Sequence, residues 1–239
     1  MANFKVLGVL TATAVSLGVA LAGAASAATV QFTSSGTFTT VAGPSGCQVG
    51  CSGSGTDTYR IGNNTGFFQP DSTLTATGFN SGAFQTDSLG VRIGQIVWQN
   101  EATPSTSTDP NFNVNYALTI NFSQPNDLPA DTTTWTINVQ QPTNPPGDSL
   151  TNMNVGLPNI GPFALNGVTV SNIRWELVGG GGATFTSATG AWFNPEGNTS
   201  TLRLVADFRA TPVPEPASFA LLGAGLLGLA AARRARKQS

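Results

Sequence analysis

Glu176 and Asp207 are the residues of this chain whose type and setting come nearest to reaction chemistry. Each falls inside a segment of alternating apolar residues, on the face opposite the apolar one. On neighbouring strands the two carboxylates would stand roughly 5–10 Å apart, a spacing at which acid pairs flank a glycosidic bond. Arg174, Arg203 and Arg209 offer the plainer reading, in which both acids are outward charges with cross-strand partners. The rest of the catalytic repertoire is missing. The 239 residues contain no histidine, and the only lysines, Lys5 and Lys237, stand near the two ends. That excludes Ser-His-Asp and Cys-His arrangements and histidine-ligated zinc. In the body it also excludes lysine Schiff bases and phosphate-loop lysines. Only carboxylate chemistry survives, and the chain is read as a non-enzyme.

Cys47 and Cys51 bracket Gln48-Val49-Gly50. Thiols in an exported chain tend to oxidise, and Gly50 makes a tight loop feasible, so a local disulfide is expected, with free or exchanging thiols as the alternative. Two cysteines are too few for a metal site. Asp109, Asn111 and Asn113 place side-chain oxygens at alternate positions, as the start of a calcium loop does. The pattern then fails, because Val114 stands at the glycine position and Ile120 at the bidentate glutamate position. An Asp-Pro turn leading into a strand is the better reading, and neither metal nor cofactor is expected. Trp98, Trp135 and Trp175 lie in phase with the apolar side of their segments and read as core. Trp192, within Gly190-Ala191-Trp192-Phe193-Asn194-Pro195, reads as a loop aromatic and is the one candidate ligand contact, since an indole face suits a sugar ring.

The ends of the chain describe export. Lys5, an apolar run from Val6 to about Ala22, and Ala25-Ser26-Ala27 form the three parts of a secretory signal, so export through the Sec translocon and cleavage of residues 1–27 are expected. At the other end Pro214-Glu215-Pro216 precedes an apolar run, Ala217 to Ala232, and the basic stop Arg233, Arg234, Arg236 and Lys237. As a helix the run would measure about 24 Å, a short span of a hydrocarbon core nearer 30 Å. The basic stop would stay cytoplasmic and leave the body outside.

Val213-Pro214-Glu215-Pro216-Ala217-Ser218, the Leu/Ala/Gly run and the arginine-rich end resemble the PEP-CTERM sorting signal of Gram-negative bacteria. The resemblance implies recognition by an exosortase, a membrane-embedded cysteine peptidase, with processing near Pro214, Glu215 and Pro216. Those three residues are then a site acted upon, not a catalytic one. Prolines lock φ and remove backbone donors, which suits an extended segment presented to a peptidase cleft.

Between the ends, residues 28–211 are long enough for one domain with a real core. Alternation is clear at Val114, Tyr116, Leu118, Ile120 and Phe122, and again at Trp135, Ile137 and Val139. It recurs at Ile173, Trp175 and Leu177, and at Leu202, Leu204, Ala206 and Phe208. Apolar positions switch from odd to even after Gly94, which a bulge there would explain. With Gly- and Pro-rich segments between the runs, the expected fold is an all-β antiparallel sandwich, jelly-roll-like or Ig-like. Gly53-Ser54-Gly55-Thr56-Asp57-Thr58-Tyr59-Arg60-Ile61-Gly62, Ser72-Thr73-Leu74 and Gly78-Phe79 resemble the opening of the choice-of-anchor K domain. That resemblance implies a β-rich exported body, a location and a fold class only.

The body carries five arginines (60, 92, 174, 203 and 209) against eleven acids, a net of −6. An acidic body without a basic patch argues against nucleic acid. The expected function is therefore structural. The chain reads as an exported surface or matrix protein, associated with exopolysaccharide as its tail family implies. A lectin-like module is the alternative, and a carboxylate hydrolase the third choice.

Overall fold

Alternation dictates the architecture. The computed structural model describes residues 27–62, 70–102, 109–125, 130–142, 147–157, 164–165, 167–211, 223–228 and 233. Among them, two antiparallel sheets hold nearly all the regular structure. The first sheet runs in space as β13 (Thr184–Thr186), β14 (Ala191–Asn194), β10 (Asp148–Thr151), β9 (Asp131–Gln140), β8 (Asn111–Gln124), β1 (Thr29–Thr40) and β5 (Phe79–Asn80). β6 (Phe84–Gln85) also pairs with β1. The second runs β11 (Ala164–Leu165), β12 (Val168–Leu177), β15 (Asn198–Ala210), β7 (Ser88–Asn100), β4 (Ser72–Ala76), β3 (Thr58–Ile61) and β2 (Cys51–Ser52).

The inward faces meet through aromatic pairs that cross from sheet to sheet. Phe32 of β1 stacks on Phe208 of β15 at 5.8 Å between ring centroids. Trp192 of β14 meets Trp98 of β7 edge-on at 5.2 Å, and Trp135 of β9 meets Trp175 of β12 at 6.2 Å. Such geometries add stabilisation beyond the buried area itself. Face-to-face packing of two twisted sheets is the β-sandwich expected from the sequence.

Two glycines fix how closely the layers approach. At Gly94 the β7–β15 register steps from Leu204↔Gly94 to Val205↔Arg92, leaving Ile93 as the extra residue of a bulge. Both Ile93 and Gly94 point inward, which accounts for the change of phase in the sequence. Gly36 in β1 lies against Tyr116 and Ala76, and a Cβ there would stand 2.7 Å from the Tyr116 ring. Gly36→Val is therefore expected to lower stability by about 1–3 kcal/mol through overpacking, read as a lower urea midpoint at unchanged slope.

Residues 25–213 form one unit. The chain enters β1 at once: the Ala28 amide donates to Thr86 Oγ1 at 3.0 Å, and the Thr86 amide returns a bond to the Ala28 carbonyl. The expected signal peptide lies outside the described residues except for Ala27. Of the expected C-terminal span, residues 223–228 are helical and exposed, and the rest of 217–232 lies outside the described residues. No helix among the described residues is long and apolar enough to cross a membrane.

Candidate functional site

The Cys47–Cys51 disulfide closes a loop at the start of β2, with Cα atoms 6.1 Å apart and Gly50 at φ 71°. Asp109 serves this loop, since its Oδ2 accepts the backbone amides of Gln48 and Val49. Asn113 belongs to the β8–β9 ladder, where its Oδ1 accepts Asn138 Nδ2 at 2.9 Å. Asn111 opens β8 opposite Gln140. Two of the three oxygens that imitate a calcium loop in sequence, those of Asp109 and Asn113, are thus used by different partners. A loop this short constrains the unfolded chain little, so Cys47→Ser with Cys51→Ser is expected to cost no more than about 2 kcal/mol in a denaturant melt.

Glu176 and Asp207 are brought together by one arginine. Arg174 pairs with Glu176 Oε1 at 2.6 Å and with Asp207 Oδ1 at 3.4 Å. Asp207 also accepts Asn172 Nδ2 and the Gly90 amide, each at 2.9 Å. The Asn172 and Gly90 bonds, with Arg174 adding its charge, hold the Asp207 carboxyl below its usual pKa against the opposing effect of burial. A carboxylate so stabilised is a poor proton donor. Arg174 thus bridges one carboxylate on its own strand and one on the neighbouring strand.

Trp192 requires a correction. It lies in β14, not in a loop, and is fully buried against Trp98. Its neighbours Ala191 and Phe193 take the outward positions, so Phe193 is the aromatic that this segment offers to solvent. All four tryptophans are core residues. A four-residue strand is too short to show its period in sequence.

One end of the core holds polar groups. Asn194 Nδ2 donates to the Trp98 carbonyl at 3.0 Å, and Asn100 Nδ2 donates to the Asn194 carbonyl at 2.8 Å, which ties β7 of one sheet to β14 of the other. Beside them Asp148 is 1% exposed. Burial, together with the Glu196 charge and against a bond from Gln141, raises the Asp148 carboxyl from 3.8 to about 7. The folded state then holds a proton that the unfolded chain has released. Stability on this account is full below the unfolded pKa and falls as pH rises toward about 7. Asp148→Asn is expected to remove that fall and to leave the variant more stable than the parent at pH 8, in melts taken from pH 4 to pH 8. Among the described residues no three carboxylate or thiol groups converge to hold a metal ion.

The two outward faces differ in chemistry. Along β1, β8, β9 and β10 the outward positions are Thr, Ser, Asn, Gln and Ala, without a charge. Their side chains bond to one another across strands, as in Thr119–Thr132 at 2.8 Å and Thr136–Asn115 at 2.8 Å. All five body arginines instead lie on strands of the second sheet: Arg60 on β3, Arg92 on β7, Arg174 on β12, Arg203 and Arg209 on β15. Strand pairing thus gathers on one sheet arginines that the sequence scatters, together with the acids Glu176 and Asp207.

Pro214, Glu215 and Pro216, and the stop residues Arg234, Arg236 and Lys237, lie outside the described residues; Arg233 is helical. Residues 212–237 match the PEP-CTERM protein-sorting motif. No curated protein matches the chain. The motif implies export, transient anchoring in a membrane and processing there by an exosortase. The described body is built of antiparallel β-sheets, and the PEP-CTERM motif at residues 212–237 marks the chain for export and sorting by an exosortase.

Proposed function

We propose that the processed body is a non-catalytic structural or interaction protein of the cell surface or extracellular matrix, associated with exopolysaccharide. In this reading the chain is exported through the Sec translocon and residues 1–27 are cleaved off as its signal peptide. The apolar segment 217–232, stopped by Arg233, Arg234, Arg236 and Lys237, holds it in the membrane until cleavage near Pro214–Pro216. The observation that carries the association is the uncharged outward face of β1, β8, β9 and β10, a field of hydroxyls and amides on a rigid sheet. Such groups exchange hydrogen bonds with hydrated sugar hydroxyls without having to desolvate a charge. The choice-of-anchor K resemblance of the body fits the same role, a β-rich module displayed by an anchor.

A carboxylate hydrolase has little in its favour, with Asp207 ionised and Arg174 bridging it to Glu176. A lectin with a single aromatic subsite loses its sequence candidate, because Trp192 is buried. Fractionation tests the association. In cells unable to make exopolysaccharide, the protein should move from the matrix or surface fraction into the medium. Undiminished retention in those cells would overturn it.

A further inference from the structure

The outward face of the second sheet carries charges that hydrogen bonding to sugar hydroxyls on the first sheet leaves unused. Both of the acids paired there, Glu176 and Asp207, pair with Arg174, and Glu176 also stands directly opposite Arg203 in the β12–β15 register. Arg92 and Arg203 sit on the adjacent strands β7 and β15 and make no ion pair among the described residues. Register places Val205 opposite Arg92 and Arg203 opposite Gln95, so the two arginines are diagonal neighbours, with backbones roughly 7–8 Å apart. Arg203 is exposed and Arg92 half-buried.

Arg92 is also held in place. Its guanidinium carbon lies 4.0 Å from the centroid of the Phe79 ring, and Nη1 donates to Gln95 Oε1 at 3.1 Å. Burial, and then the Arg203 charge, lower its pKa from the ordinary arginine value. Two like charges thus occupy diagonal positions on neighbouring strands, Arg92 pre-oriented by an aromatic ring, with an amide and the hydroxyls of Thr75 and Thr201 at positions of the same face. A bound anion would relieve the repulsion. Guanidinium groups match carboxylates in a two-bond fork, and the restraint on Arg92 reduces the entropy lost on binding.

The geometry points to Arg92 and Arg203 as an anion-binding site on this face, and we propose that it takes the uronate carboxylates of an acidic polysaccharide. The inference rests on the polysaccharide association proposed for the body and names the class of polymer. The body's net negative charge does not oppose it, because fields fade over about 8 Å at physiological salt and local charge decides contact. The sheet also has room for a chain. From Arg174 on β12 to Arg60 on β3 the face crosses four strand spacings, about 19 Å.

The test uses protein recovered from the surface or medium fraction, run by affinity electrophoresis through gels containing alginate, neutral dextran or duplex DNA. The parent should be retarded by alginate, with the retardation lost at high salt. Arg92→Gln with Arg203→Gln should bind alginate at least about tenfold more weakly, while Arg92→Lys with Arg203→Lys keeps a substantial part. Melting temperatures must match for the comparison to count, and Arg203→Glu alone supplies a second, single-site variant expected to lose alginate binding. Equal alginate binding by parent and Gln variants would overturn the arginine site and leave the association intact. Stronger retardation by DNA than by alginate would overturn the uronate assignment. Binding to no polysaccharide would sink the association itself.

Discussion

Trp192→Ala should unfold the body, not merely weaken a surface contact. The indole is fully buried, edge-on to Trp98 across the two sheets. Removing a buried tryptophan typically costs about 3–5 kcal/mol, from lost transfer energy and from the cavity left behind. Domains are stable by only about 5–15 kcal/mol, so the variant should melt far below the parent or fail to accumulate. Phe193→Ala is the informative control, because Phe193 faces outward on the same strand. It should leave the melting curve nearly in place. If Trp192→Ala kept its stability and lost only glycan retention, the core assignment of this residue would be wrong.

The second large effect concerns the tail. Pro214→Ala, Glu215→Ala and Pro216→Ala together should abolish processing and hold the full-length chain in the membrane fraction. Proline fixes φ and offers no amide donor, so the two prolines set the backbone character of the segment on either side of its single carboxylate. Alanine restores ordinary backbone freedom and removes the charge. Immunoblots of membrane and medium fractions should show loss of the shorter form. Normal release of the triple variant would mean that these residues are not the recognition element.

Long strands are legible in the sequence of this chain, and short ones are not. β8 and β15 alternate over enough residues to declare both period and face, and the change of phase at Gly94 marks the bulge in β7. β1 is nearly as long but does not declare itself. Its inward positions include Ser34 and Gly36, and Gly36 is needed because Tyr116 fills the space a side chain would take. β14 has only four residues, which is why Trp192 reads as a loop aromatic in sequence.

Charge placement is illegible for a different reason. Arg92, Arg174 and Arg203 are far apart along the chain, and only the insertion of β15 between β7 and β12 makes them neighbours. No local pattern encodes that order. The disulfide loop is legible as a loop, whereas its support by Asp109 depends on a contact across 60 positions. The tail is the most legible feature, because a sorting signal is read as composition and order rather than as a packed surface.

The most direct measurement is the mass of the mature protein's C-terminal peptide, taken from cell-surface and medium fractions. Exosortase processing predicts an end near Pro214–Ala217, with residues 218–239 missing from every exported copy. An exported protein that still ends at Ser239 in the membrane fraction would contradict it.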